Sequence, residues 1–195
     1  MEYGLILLAA GFSRRFGDNK LLHAVDGIPM YLRAAELLLE LKERRRDIAG
    51  IWAVTQYPEI QAELEKRGIA VVMNYHSERG LSSSLKEGLQ AALKKKTGEK
   101  TAFCFFMGDQ PYLKANTVSR LLDMYPASGK GIARICFQGK PGNPAVFSQD
   151  YVPALLALAG DQGGRRIICR HPEDLWEMEA EDGRELLDLD WPEPV

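Results

Sequence analysis

An α/β architecture built on a mostly parallel, doubly wound sheet is what this chain predicts, on three grounds. Short apolar runs alternate along it with segments whose apolar residues recur at helical spacing. The runs Gly4 to Ala10 and Ala102 to Met107 are apolar throughout, as strands covered on both faces are. The 195 residues, 46% of them hydrophobic, suffice for one such domain with a sizeable core. A single domain over 1–195 is therefore expected, since no repeat, linker or low-complexity segment divides the chain.

The elements follow in order. Gly4 to Ala10 is a strand that stops at Gly11, and residues 10–20 form a polar, glycine-bearing loop. Pro29 opens a helix with Leu32, Ala35, Leu38, Leu39 and Leu41 at helical spacing, closing on the basic run Lys42 to Arg46. Ile51 to Thr55 reads as a strand, Glu59 to Arg67 as a helix ended by Gly68, and Ala70 to Met73 as a strand. Ser82 to Lys96 is a helix with Leu85, Leu89, Ala92 and Leu93 on one face. Ala102 to Met107 is a central strand, Ala115 to Met124 a helix and Gly131 to Phe137 a strand. A tight loop over Gly139 to Pro144 leads to a short extended piece, Ala145 to Phe147. Helices over Val152 to Leu158 and Arg165 to Cys169 follow, then short strands around Leu175 to Met178 and Leu186 to Leu189. Ligands of doubly wound sheets sit outside the carboxyl ends of the strands. The loops after Ala10, Met73 and Met107 are thus expected to face one crevice.

Charged residues make up 27% of the chain and the net charge is −2. That balance argues against a nucleic-acid binder or an anionic-membrane binder, both of which show a basic excess. The longest apolar run near the start is far too short to span a bilayer, and its flanks are not those of a secretory signal. A cytoplasmic protein is expected. Cys104, Cys136 and Cys169 form no C-x-x-C pair and no disulfide framework. His23, His76 and His171 lack metal-ligand spacing.

Several loops carry chemistry. In Leu8-Ala9-Ala10-Gly11-Phe12-Ser13-Arg14-Arg15-Phe16-Gly17-Asp18-Asn19-Lys20, small residues let backbone N–H groups approach a polyphosphate, and Arg15 and Lys20 supply fixed positive charge. The loop is neither a Walker A sequence nor a G-x-G-x-x-G fingerprint. On composition alone a surface turn with basic decoration is the leading reading, since basic residues after a strand are common. In Met107-Gly108-Asp109-Gln110-Pro111, a carboxylate ends an apolar strand, as a Mg²⁺ bridge to phosphate oxygens requires; a plain β-turn has the same residues. Asn74 with Gly80-Leu81-Ser82-Ser83-Ser84 offers hydroxyls and free N–H groups to an anion, with Ser82 or Ser83 the expected helix cap. The segments around Asn143, from Gly160 through Asp161 to Arg165, and from Asp188 to Asp190 also read as surface loops or an acidic tail.

Taken in order, these loops resemble the MobA-like NTP transferase family, and within it the molybdenum cofactor cytidylyltransferases. The pattern L-A-A-G-x-S-x-R-x-G-x-x-K runs from Leu8 to Lys20, and GLSSSLKEGL, GDQP, GNPAVF, GDQGGR and DLDWPE follow. The resemblance spans essentially the whole chain. It implies a three-layer αβα sandwich of the nucleotide-diphospho-sugar transferase type. It implies that Leu8, Ala9, Ala10, Gly11, Ser13, Arg15, Lys20, Asn74, Ser82, Ser83, Ser84 and Gly108 bind the nucleotide. Arg15, Lys20 and Asp109 would be catalytic, and Mg²⁺ would sit on Asp109 with help from Asp188 or Asp190. Asn143, Asp161 and Arg165 would face a pterin-phosphate acceptor. The second alanine of LAAG resembles the cytidylyl version, so CTP is the implied substrate and a client molybdoenzyme an implied partner. The chain departs from the family pattern at Phe16, usually Met, at Asn143, usually His, and at Trp191 and Pro194 in the tail. The nucleotide half of the pattern is intact and the acceptor half is altered. Transfer to a sugar phosphate, use of another NTP, and a non-catalytic accessory protein for molybdoenzyme maturation stand as alternatives. An NAD binder lacks its glycine fingerprint here.

Overall fold

The computed structural model describes residues 1–12, 19–95 and 100–189. Nine strands form among them: β1 (Glu2–Ala9), β2 (Ala24–Val25), β3 (Ile28–Pro29), β4 (Ile48–Thr55), β5 (Ala70–Met73), β6 (Thr101–Met107), β7 (Ile132–Phe137), β8 (Lys140–Ser148) and β9 (Leu175–Glu179). The helices are α1 (Met30–Arg44), α2 (Pro58–Lys66), α3 (Leu81–Lys94), α4 (Ala115–Met124), α5 (Val152–Leu156) and α6 (Gly164–Ile168).

Seven strands build the central sheet in the order β5-β4-β1-β6-β8-β7-β9, and only β8 runs against the rest. Helices cover both faces, which gives the three-layer αβα sandwich. One core lies on the side of α1, α2 and α4 and includes Leu5, Leu7, Leu38 and Leu121. The other lies on the side of α3, α5 and α6 and includes Ile6, Val54, Leu89 and Phe147. The alternation of Leu5 and Leu7 with Ile6 and Leu8 between the two cores is the period-two rule acting on a strand covered on both faces. Gly88 lets α3 lie close on the sheet, because a Cβ there would run into Ile6 and Val54.

The helical and central-strand readings hold to within a few residues. Two features near the ends differ. The stretch Gly139 to Pro144, expected as a tight loop, is mostly the first half of β8. Its turn is instead Gln138-Gly139, both at positive φ (49° and 75°), closing Phe137 onto Lys140. A two-residue turn with both residues left-handed matches the twist of a hairpin, so β8 begins at once. The strand expected over Leu186 to Leu189 is absent. A 3-10 turn spans Gly183–Leu186, and the chain beyond it leans on the loop after β6 through Leu189 N–H donating to the Asp109 carbonyl at 3.1 Å. The small hairpin β2–β3, turned by Asp26-Gly27, had no counterpart among the expected elements.

Candidate functional site

The register of the sheet aligns the carboxyl ends of four parallel strands. Leu8 lies opposite Val54 and Met107, Ala9 opposite Thr55, and Thr55 opposite Met73. The segments that follow, Ala10-Gly11, Gln56-Tyr57, Asn74 and Gly108-Asp109, therefore emerge side by side.

Each is tied to its neighbours. Gln56 Nε2 donates to the Ala10 carbonyl at 2.7 Å, and its Oε1 accepts from Ser77 Oγ at 2.8 Å. Tyr57 hydroxyl donates to the Gly11 carbonyl at 2.9 Å. Gly108 N–H donates to the Leu8 carbonyl at 3.0 Å. Arg33 of α1 donates to the Pro111 carbonyl at 3.1 Å and to the Val25 carbonyl at 2.8 Å, clamping the loop after β6 to the β2–β3 hairpin. Gln56, Tyr57 and Arg33 were not foreseen as contributors. Gln56-Tyr57 could have been found, since they directly follow a buried strand; Arg33 looked like one more basic residue on a helix.

Lys20 and Asp109, 89 positions apart, form an ion pair with Nζ to Oδ2 at 2.6 Å, each side chain 15% exposed. Asp109 Oδ1 is buried and has no hydrogen-bond partner among the described residues. A buried carboxylate oxygen without a donor is costly unless something occupies it. Asp188 adjoins this loop, since Leu189 bonds to the Asp109 backbone. Ser13, Arg15 and Asp190 lie outside the described residues. Among the described residues no cluster of three or more His, Cys, Asp or Glu could hold a metal, so a metal here would rely on one or two carboxylates.

Asn74 is buried, 2% exposed, and its amide is fully engaged. Nδ2 donates to Ser83 Oγ at 2.8 Å and Ser84 Oγ at 2.9 Å, and Oδ1 accepts from His76 N–H at 2.9 Å. Neither Ser82 nor Ser83 caps α3, contrary to expectation. Gly80 stands at the cap position with φ of 89°, and Ser83 Oγ donates back to its carbonyl at 2.8 Å. The glycine is required twice over: positive φ disfavours a side chain, and a Cβ would collide with Asp161 and the Gly160 backbone. Ser82 N–H donates to the Gly160 carbonyl at 3.1 Å. The start of α3 and the Gly160-Asp161 loop are thus locked together.

Two hollows open at these strand ends. The first, about 420 Å³, is bordered by Leu8, Ala10, Gly11, Phe12, Ser84 and Asp161. The second, about 380 Å³, is bordered by Phe105, Arg134, Asn143, Phe147, Asp161 and Arg165. They share Leu8, Leu81, Met107 and Asp161 as walls, so they adjoin. All three residues expected on the acceptor side, Asn143, Asp161 and Arg165, border the second hollow. Ala9 turns its methyl into the core on the α1 side, so only its backbone is near the loop. Lys20 and Asp109 do not line either hollow; Gly108, bonded to the wall residue Leu8, places them beside it. A further groove of about 450 Å³ lies elsewhere, between α1 and the start of α4, away from the ends of the parallel strands.

A MobA-like NTP transferase domain matches residues 5–175. The chain belongs to the MobA-like NTP transferase family. It is thus a nucleotidyltransferase-family protein, and that family works on nucleoside triphosphates with a divalent metal. Purine catabolism protein PucB of Bacillus subtilis (strain 168) is 27% identical over 198 residues, 96% of this chain and 91% of that protein. Rv0371c from Mycobacterium tuberculosis H37Rv superposes with a TM-score of 0.78 at 24% identity, covering 97% of this chain and 93% of that one. A nucleotidyl transferase from Methanothermobacter (Mth528) superposes with a TM-score of 0.76 at 19% identity, covering 97% and 92%. Rv0371c has also been seen in complex with manganese, at a TM-score of 0.70 and 20% identity over 92% of this chain and 89% of that one. These likenesses place the fold among nucleotidyltransferases. Among the described residues no helix is long and apolar enough to cross a membrane.

Proposed function

We propose that residues 1–195 form one nucleotidyltransferase domain that transfers CMP from CTP to the phosphate of molybdopterin and releases pyrophosphate. The observation that carries this reading is the adjoining pair of hollows at the strand ends, with the Lys20–Asp109 pair beside their shared wall. One hollow suits a nucleotide and the other a phosphorylated acceptor, and their common wall is where a phosphoryl centre must be shared. The second alanine of the LAAG sequence favours CTP. The name of PucB ties that relative to purine breakdown.

The backbone of Ala9, Ala10 and Gly11 would hold the triphosphate, helped by Ser13, with Arg15 and Lys20 balancing its charge. Ser82, Ser83 and Ser84 would face the ribose and base side, with the hydroxyls of Ser83 and Ser84 oriented by Asn74. The acceptor phosphate attacks the α-phosphorus in line, forming the new P–O bond as the bond to pyrophosphate breaks. A phosphate monoester is already nucleophilic near neutral pH, so no base relay is needed. The catalytic work is positioning two anions and offsetting their repulsion. The donor set suits a hard cation: Asp109 Oδ1, a buried carboxylate oxygen without a donor, together with Asp188, whose segment adjoins that loop, or with Asp190, would hold Mg²⁺. When bound, that ion supplies charge neutralisation at the phosphates. Asn143, Asp161 and Arg165 would position the acceptor.

The test is pyrophosphate release from each of the four NTPs with Mg²⁺ and molybdopterin. CTP-selective release is expected. Release with a sugar 1-phosphate alone, or from GTP alone, would replace this reading with another transferase specificity. Tight CTP binding without turnover on any acceptor would make the protein a carrier for a client molybdoenzyme.

A further inference from the structure

We propose that Arg134 is a specificity-determining residue of the second hollow, reading the carbonyl or ring-nitrogen edge of a flat, lactam-bearing heterocycle. The inference rests on reading that hollow as the acceptor side.

Arg134 lies opposite Ala145 of β8, which lies opposite Phe105 of β6, which lies opposite Ile6 of β1. Residues in such a row share one face of the sheet. The other three belong to the apolar core on the α3 side. Arg134 is therefore a cation pointing from the sheet where its row calls for a hydrocarbon. A charge in that position is costly without a partner. Glu177, its neighbour across the β7–β9 pairing, supplies one: Nε donates to Oε1 at 2.8 Å, and Nη2 to the same oxygen at 2.7 Å.

Two consequences follow. The guanidinium plane is fixed by a fork on one side, and Nη1, on the other, has no partner among the described residues. The pair is also close to neutral, so its contribution is a directed N–H donor rather than net charge. The walls around Arg134 include Phe105, Phe147, Leu85 and Ile168. A flat ring would bury its faces on these apolar walls and present an edge to Nη1. Arg165, bordering the same hollow, supplies the charge that a phosphorylated arm needs. Glu177 is a positioning residue: it holds the guanidinium in plane.

The experiment uses unphosphorylated pterin as probe, titrated into the full chain and followed by its own fluorescence. Arg134→Met and Arg134→Lys are compared with wild type, and the CTP·Mg²⁺ thermal shift is measured on all three. Wild type is expected to bind pterin, and both variants to bind it roughly tenfold or more weakly. The nucleotide-induced shift should be unchanged in the variants. Pterin binding in either folded variant equal to wild type overturns the assignment. So does a wild type that binds mannose 1-phosphate but not pterin. Should Arg134→Met fail to fold, the lysine variant, which keeps charge and most of the volume, decides. A wild type with no nucleotide shift but Arg134-dependent pterin binding would sink the transferase reading and leave this one standing.

Discussion

Asp109 combines two jobs that a neutral isostere separates. One oxygen receives Lys20, and the other is buried without a donor. Asp109→Asn keeps a hydrogen-bond acceptor for Lys20 but removes the charge a metal needs. Its melting temperature should stay near wild type while metal-dependent nucleotidyl transfer falls about a hundredfold or more. Near-normal, metal-dependent turnover in that variant would show that the ion is held elsewhere. The cysteines make a second prediction. Cys104 is fully buried, and burial raises its thiol pKa well above the usual range. Burial, with the hydrogen bond to Glu179, pushes Cys136 up to about 11. Cys169 is exposed. Thiolate is the reactive form, so a maleimide at pH 7.5 should label one thiol in the native protein and three after denaturation. Rapid labelling of two in the native state would contradict the burial of Cys136.

The edge where β7 meets β9 and the turn beyond it is held by two acidic side chains. Burial disfavours the charged form of Asp174, yet the hydrogen bonds from Gly131 N–H at 2.8 Å and Tyr151 hydroxyl at 2.7 Å prevail and lower its pKa. A carboxyl with a depressed folded-state pKa stabilises above its unfolded value, near 3.9, and loses that contribution as pH falls through the folded value. The stability difference between wild type and Asp174→Asn should therefore be present at pH 6 and shrink below about pH 4 in urea titrations. A difference constant across that range would remove Asp174 from the account of acid sensitivity. Glu185 is wholly buried in the turn Gly183–Leu186, and its Oε2 accepts from Lys114 N–H at the start of α4 at 3.1 Å. Glu185→Ala leaves that amide without an acceptor and should cost about 1–3 kcal/mol in denaturant unfolding. Gly80→Ala should separate α3 from the Gly160-Asp161 loop, and weaker CTP binding is the expected result, read as a smaller thermal shift.

Across the whole molecule, the sheet register is what makes a site out of distant loops. Leu8, Thr55, Met73 and Met107 end their strands side by side, so four segments up to about a hundred residues apart share one rim. A thermal-shift screen of the four NTPs with Mg²⁺ reads this arrangement directly. At ligand concentrations a hundredfold above Kd, selective binding stabilises by about 2.7 kcal/mol, and CTP should give the largest shift. Equal shifts for all four would mean the base is not read. Much of this was legible in residue order alone. Continuous apolar runs marked β1 and β6 because a strand covered on both faces admits no polar alternation, and helical spacing marked α1 and α3. The family followed from the ordered loops. The hairpin turns were missed for different reasons: Asp26-Gly27 flanks strands of two residues, too short to show a period, and the Gly/Pro density after Gln138 imitates a loop. Pairings were beyond reach. That Lys20 meets Asp109, that Asn74 orients two serines rather than facing outward, and that Arg134 points among core residues all depend on which strand lies beside which. Local patterning determined what each segment is, because backbone geometry and apolar periodicity act over a few residues. Only the tertiary structure decided which polar groups meet, because a hydrogen bond or ion pair depends on distances that chain separation does not set.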